Sequence, residues 1–336
     1  MQTSAGVIEC AAVQIAAEPG RLQANLQQVE QLAREAFQTG ARLVALPEFF
    51  TSSLITGAPT AEAVLPAGDN DALDLLTALA REYQGVIGGS FLVAEQGEIY
   101  NRYHLVEADG SVHTHDKDLP TMWENAFYTG GQDDGVFDTG LGGIGAAVCW
   151  ELIRYQTVAR MRGRVALAMT GTHWWTMPAN WPVIRDLLGP LSQYNRYLSE
   201  QAPVEFARLL GAPVLQASHC GEIQGAFHLL PRPNVRLRYA THFVGATQIV
   251  DAAGHVLASR STADGPGIVR AAITPQSRSP VRPAESGRFW IPRLPAFLQA
   301  YWHHQNWVGR GLYARHGREA GLRAAADHAA ERQPAR

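Results

Sequence analysis

The chain has 336 residues, of which 46% are apolar and 18% charged, with a formal net charge of -3. That composition excludes whole-chain disorder and lacks the basic footprint of a nucleic-acid-binding protein. No apolar run approaches the roughly 18 residues of a membrane span, so no membrane partner is expected. Residues 1–6 lack the basic-then-apolar layout of a secretory leader. The three cysteines, Cys10, Cys149 and Cys220, are too few and too odd in number for a disulfide framework. These features predict a cytoplasmic protein.

In chain order, residues 7–15 read as a strand and residues 22–38 as a helix, with Leu22, Leu26, Val29, Leu32, Ala33, Ala36 and Phe37 on one stripe. A short buried strand follows at 43–46. Asp69 is the expected N-cap of a helix running to Tyr83. Strands are predicted at 86–93, 100–107 and 112–115, the last two joined by Asp109-Gly110. Residues 141–149 read as a central strand, 155–162 as a short helix and 165–169 as a strand. A mostly helical stretch spans 181–210, with Pro190 and Pro203 as expected breaks. Further strands are expected at 213–218, 247–250, 256–259 and 268–273.

This alternation indicates a layered α/β or α+β domain over residues 1–275. Residues 276–336 form a compositionally distinct tail. Its 280–295 stretch is rich in proline and arginine, its 297–313 stretch is dense in aromatics and histidine, and its alanine- and arginine-rich end at 319–336 is expected to fray. The tail is expected to pack on the core or on a partner subunit.

One composition figure concerns chemistry directly. Lys117 is the only lysine, and the other 27 basic residues are arginines. A compact ammonium donates in three directions, which a planar guanidinium cannot reproduce. Cys149 falls where an apolar strand gives way to a helix, a placement that offers a thiol at a strand end beside backbone N–H groups. Glu48 ends another strand, and Leu46, Pro47, Phe49 and Phe50 should strip it of solvent and raise its pKa toward the range of a general base. Glu124 stands seven residues beyond Lys117, where it can hold a buried ammonium. Taken singly, an inert buried cysteine, a helix-starting or surface glutamate and a solvated loop glutamate are the plainer readings. Taken together, in the order Glu48, Lys117, Cys149, the residues are specific.

The segments Ala41-Arg42-Leu43-Val44-Ala45-Leu46-Pro47-Glu48, Asp116-Lys117-Asp118-Leu119-Pro120 and Gly145-Ala146-Ala147-Val148-Cys149-Trp150-Glu151 resemble the three motifs of the nitrilase superfamily of carbon–nitrogen hydrolases. Cys149-Trp150-Glu151 looks like the nitrile-cleaving branch, whereas the continuation Leu152-Ile153-Arg154 departs from it. The resemblance covers about residues 5 to 275 and implies a four-layer α-β-β-α sandwich that forms a homodimer or higher homo-oligomer. It implies a Glu48–Lys117–Cys149 triad, Glu124 as a second glutamate orienting lysine and substrate, and no metal or organic cofactor. The implied reaction converts a small nitrile or amide to an acid and ammonia through a cysteine thioester. Phe49, Trp123, Tyr128, Trp150, His173 and Trp174 are the expected pocket residues, and ordinary core packing is the alternative for each.

Two other classes compete. His113 and His115 lie on one face of a strand and could ligate zinc in a metal-dependent hydrolase. A catalytically silent relative that only binds a partner would be expected to show a broken triad. A serine hydrolase lacks its G-x-S-x-G elbow here. A dinucleotide enzyme is disfavoured because Gly140-Leu141-Gly142-Gly143 precedes a strand instead of opening a helix.

Overall fold

The computed structural model describes residues 6–56, 58–281, 287, 289 and 296–332. The expectations for residues 1–5, for most of 282–295 and for 333–336 lie outside the described residues. Strand β1 (Ile8–Ile15) leads into α1 (Leu22–Gln38), whose Leu26, Val29, Leu32, Ala33, Ala36 and Phe37 are buried at helical spacing. Then come β2 (Leu43–Ala45), α2 (Ala58–Glu62), β3 (Leu65–Pro66) and α3 (Asp71–Tyr83). The cap of α3 is Asn70 instead of Asp69: its side chain accepts from Leu73 N at 2.8 Å. Asp69 lies outside the helix and pairs with Arg332.

Strands β4 (Val86–Glu95), β5 (Glu98–Val106) and β6 (Val112–Asp116) form an antiparallel meander. They are followed by β7 (Val136–Thr139), β8 (Gly142–Ala146), α4 (Tyr155–Met161), β9 (Leu167–Thr172) and α5 (Pro182–Leu210). The remaining core elements are β10 (Val214–His219), β11 (Glu222–His228), β12 (Arg236–His242), β13 (Thr247–Val250), β14 (Val256–Arg260) and β15 (Gly267–Ile273). The tail folds as α6 (Ala296–Leu312) and α7 (Arg318–Arg332).

Thirteen strands form one sheet whose main path is β6-β5-β4-β2-β1-β10-β9-β8-β7, while β11 and β12 pair apart from it. The period-two alternation of β1 shows how the sheet is layered. Ala11, Val13 and Ile15 face α1 and α3, whereas Cys10 and Ala12 join the core shared with β8, β9, α4 and α5. The result is a four-layer α-β-β-α sandwich.

The two halves approach closely where β9 passes the end of β2. A Cβ on Gly171 would lie 2.3 Å from Glu48 N, so only glycine fits there.

Three local expectations need correction. The strand read over 141–149 leaves the sheet after Ala146, because Val148 N donates to Glu151 Oε2 at 2.7 Å and Cys149 turns into left-handed backbone space. The prolines do not break α5. At Pro203 the carbonyl that loses its helical donor, Ser199 O, accepts from Gln216 Nε2 at 3.4 Å. The alanine-rich end does not fray within the described residues, and α7 stays helical to Arg332. Its Gly321 lies so close to Ile99 and Val64 that a Cβ would come within 2.4 Å of the Ile99 side chain. Ala325 is buried one turn later.

Candidate active site

Each candidate side chain leaves the end of a strand or a tight turn. Glu48 follows β2, Lys117 follows β6, and Cys149 opens a 3-10 turn after β8. Glu124 sits in a second 3-10 turn, Met122–Ala126, where its Oε2 accepts from Thr121 N at 3.0 Å. Three non-glycine residues beside these groups have left-handed backbone: Phe49 (φ 53°), Met122 (φ 54°) and Cys149 itself (φ 54°). Such geometry costs about 1–3 kcal/mol per residue and persists only where packing fixes it.

The four groups converge. Lys117 Nζ donates to Glu48 Oε1 at 2.8 Å and to Glu124 Oε2 at 2.8 Å. Cys149 joins them, close enough for the charges of Glu48, Lys117 and Glu124 to act on its thiol. Glu48 also accepts from Asn101 Nδ2 at 2.8 Å and, through Oε2, from His173 N at 2.9 Å. Its backbone carbonyl is held by His219 Nε2 at 2.6 Å. Glu48 and Lys117 are wholly buried, and Glu124 and Cys149 are nearly so.

Burial is the chief cause of Glu48's raised pKa. It outweighs the pull of Lys117, and with the charge of Glu124 it lifts the carboxyl to about 7. Burial opposes the charge on Lys117, but the Glu124 and Glu48 carboxylates together hold its pKa well above the usual range. Burial, then the Glu48 carboxylate, pushes the Cys149 thiol well up. The thiol is therefore protonated at rest, beside a carboxyl of near-neutral pKa.

A narrow cavity opens on Cys149. Thr121, Met122, Trp150, His173, Trp174, Met177 and Leu298 are among its walls. Asn195 spends both ends of its amide on the wall, accepting from Trp174 Nε1 at 2.8 Å and donating to the Trp175 carbonyl. Burial, then His219, pushes His173 well below the usual imidazole range, so its ring is neutral. Its Nε2 accepts from Leu54 N at 3.1 Å, which places the ring proton on Nδ1.

The model for the family described as "Carbon-nitrogen hydrolase" matches residues 9–283. The chain belongs to the carbon-nitrogen hydrolase family. An omega-amidase NIT2-A of Xenopus laevis is 30% identical over 178 residues, which is 48% of this chain and 63% of that protein. An omega-amidase YafV of Escherichia coli is 28% identical over 176 residues, covering 52% of this chain and 64% of its own. The chain thus spans under two thirds of the length of these relatives.

Solved carbon-nitrogen hydrolase structures share the fold at low identity. The enzyme from Helicobacter pylori G27 superposes with a TM-score of 0.65 at 20% identity, covering 80% of this chain and 89% of that one. Saccharomyces cerevisiae Nit3, a member of branch 10 of the nitrilase superfamily, gives 0.59 at 20% identity, covering 81% and 92%.

Within this carbon-nitrogen hydrolase fold the expected pocket residues separate into two groups. Trp150, His173 and Trp174 line the cavity with Cys149. Phe49 and Tyr128 lie behind the carboxylates instead. Tyr128 donates a short hydrogen bond to Glu124 Oε2, and the Phe49 ring packs on Tyr128 and His173. Trp123 faces a neighbouring chamber.

The proposed zinc ligands have other partners. His115 spends both ring nitrogens on carboxylates, Nε2 at 2.9 Å from Glu151 and Nδ1 on Asp133. His113 bonds Glu107 at 2.8 Å. Among the described residues, no group of three or more His, Cys, Asp or Glu is placed to hold a metal ion.

Sequence reasoning did not single out Asn101, His219 or Asn195. Each lies inside a strand or helix beside another polar residue. Their signal lies in being polar where the surrounding pattern demands burial.

Proposed function

We propose that the protein hydrolyses non-peptide carbon–nitrogen bonds of small amides or nitriles through a thioester on Cys149. The observation that carries this reading is the position of the Lys117 ammonium, 2.8 Å from both Glu48 and Glu124, with the Cys149 thiol within reach of the charges of all three.

Glu48 takes the thiol proton as the sulfur attacks the electrophilic carbon. Negative charge develops on the substrate oxygen, or on nitrogen in a nitrile, and faces Lys117 and the backbone N–H of Trp150. For an amide, Glu48 then passes its proton to the leaving nitrogen, ammonia departs, and the acyl group remains on sulfur. Glu48 next takes a proton from water, the hydroxyl adds to the thioester, and the proton returns to sulfur as the acid leaves.

One carboxyl can perform all four transfers because its pKa, about 7, lies near ambient pH. Glu124 fixes the ammonium and is itself held by Thr121 and Tyr128, so it acts as a positioning residue. The relatives named omega-amidase favour amides over nitriles as the natural class.

The test is ammonia release across a panel of aliphatic and aromatic amides, nitriles and N-carbamoyl compounds, with Cys149→Ala as control. Turnover by the native chain that vanishes in the variant supports the reading. Equal release by both refutes it, and none from any compound refutes it in favour of a silent binding protein.

A further inference from the structure

Helix α6 lies beyond residues 9–283, the span of the family match, yet it packs directly on the turn that carries Glu124. Its Leu298, Trp302, Gln305, Asn306, Gly309 and Leu312 are buried at helical spacing, whereas Trp307 is exposed. Val308 and Leu312 share a core with Ala126, Phe127 and Tyr128, the residues that soon follow Glu124.

Two kinds of contact join helix and turn. Asn125, next to Glu124, donates through Nδ2 to Asn306 Oδ1 at 3.0 Å, and the same amide donates to Met122 O at 2.7 Å and to Pro120 O at 3.2 Å. Arg310 Nε donates to Asn125 Oδ1 at 3.4 Å, so both ends of the Asn125 amide reach α6. The backbones also meet. A Cβ on Gly309 would lie 2.8 Å from Asn125 Cβ and 3.0 Å from Ala126 N, well inside the ordinary carbon contact of about 3.5–4.0 Å. Past the end of α6, a Cβ on Gly317 would lie 2.2 Å from Ala126 O. The turn needs this support, because Met122 holds left-handed backbone (φ 54°) that persists only where packing fixes it.

We infer that α6 positions the Glu124 carboxylate against Lys117, with Gly309 and Asn306 as positioning residues, so that the C-terminal helix is a working part of the active site. The inference rests on the proposed hydrolase reading for the role of Glu124. The charged and titratable groups facing Glu48 are Lys117, Glu124 and Cys149, with His173 and His219 held neutral by burial. If the turn shifts, Glu124 draws back from Lys117, its like charge recedes from Glu48, and the ammonium is left to Glu48 alone. Both changes favour the ionised Glu48, so the acid limb of kcat/KM moves down in pH.

The test is Gly309→Ala, which favours a helix interior and yet crowds the turn. Since a misplacement of about 1 Å can cost about 10²-fold, a shift of about half that should lower kcat about tenfold. KM should change by less than about twofold, and the acid limb should fall by about half a pH unit or more. Asn306→Leu removes an acceptor without crowding the turn and should move the limb the same way by less. Trp307→Ala, on an exposed position of the same helix, should leave rate and limb within about twofold of native.

A Gly309→Ala protein that melts cooperatively with native kcat and an unmoved limb overturns the inference. If that variant does not fold, an unmoved limb in Asn306→Leu overturns it alone. An equal shift in Trp307→Ala also overturns it, because the effect would then belong to any disturbance of the helix. Alkylation of Cys149 by iodoacetamide, followed by peptide mass across the same pH range, gives a reading free of turnover, and its limb should move with that of kcat/KM. A shifted alkylation limb without turnover by the native chain leaves the positioning role standing and removes the hydrolase reading. Native turnover with no shift in either α6 variant does the reverse.

Discussion

Replacing Asn101 with leucine tests whether the Glu48 proton inventory sets the rate. The two side chains have the same branching and heavy-atom count, so the shape is nearly kept, with larger methyls in place of the oxygen and the NH2. Asn101 Nδ2 donates to Glu48 Oε1 at 2.8 Å, a bond that favours the carboxylate over the acid. Its Oδ1 has no partner, so the substitution also removes a buried unpaired acceptor and should cost little stability.

A hydrogen bond to a charged group contributes about 1.5–3 kcal/mol. At 1.36 kcal/mol per pH unit, its loss raises the Glu48 pKa by about one to two. Glu48 must be ionised to take the thiol proton, so kcat/KM rises with pH through a limb near 7 in the native chain. In Asn101→Leu the limb should move up to about 8 to 9, with a roughly 5-fold to 50-fold loss at pH 7 that is recovered at high pH.

Ammonia release between about pH 5.5 and 9.5 under kcat/KM conditions reads this directly. A misfolded variant would lose activity at every pH. A limb that stays in place or moves down would refute the assignment of Glu48 as the base.

Two further predictions concern the buried ions. Lys117→Arg keeps the charge but brings a larger, planar group to a wholly buried site with two carboxylates at 2.8 Å. Turnover should fall by about 10²-fold or more while the melting curve stays cooperative, and near-native turnover would end the special role of the lone lysine. His115→Gln removes the imidazolium bonded to Glu151 and Asp133, at a cost of about 3–5 kcal/mol.

The pH dependence of that cost follows from both partners. Burial opposes the charge on His115, but Glu151 and Asp133 raise its pKa from 6.5 to about 10, so its contribution is full below 6.5 and fades as pH climbs through 10. Burial likewise opposes ionisation of Glu151, but His115 and Arg160 hold its pKa below 4.5, so its contribution is full above 4.5 and fades as pH falls. Paired melts should therefore show the largest difference between pH 4.5 and 6.5, and a difference that grows toward pH 10 would contradict the pairing.

The parts of this molecule that were legible in the chain are those where one local pattern suffices. The stripe of α1 needs only its 3.6-residue period, and its bounds match the expected 22–38. Glu48, Lys117 and Cys149 each follow a run of apolar or strand residues, so their placement at strand ends could be read from their neighbours. The hairpin β11–β12 went unread because its strands are half exposed and joined by a seven-residue loop without a tight-turn signature. The tail was misread because Gly321 and Ala325 look like low complexity until Ile99 and Val64 are brought against them. Pro203 was misread as a break because its compensating donor, Gln216, comes from another element.

The strain at the site and its chemistry have a common origin. A strand that continued through Cys149 would point successive side chains to opposite faces and pair its backbone with a neighbour. The left-handed step at Cys149 ends that pairing, and Glu151, three residues on, turns back to hold Val148 N. The equivalent steps at Phe49 and Met122 stand one residue after Glu48 and two before Glu124. All three turns thus face one buried point with a charged or ionisable group, and a cost of about 1–3 kcal/mol at each must be met by surrounding contacts. Those contacts are the Glu151–His115–Arg160 network behind Cys149, the Asn101 and His219 bonds to Glu48, and the Thr121 and Tyr128 bonds to Glu124. Loosening any of them should release the turn before it unfolds the sheet, so activity should fail at milder denaturant than the cooperative unfolding of the sandwich.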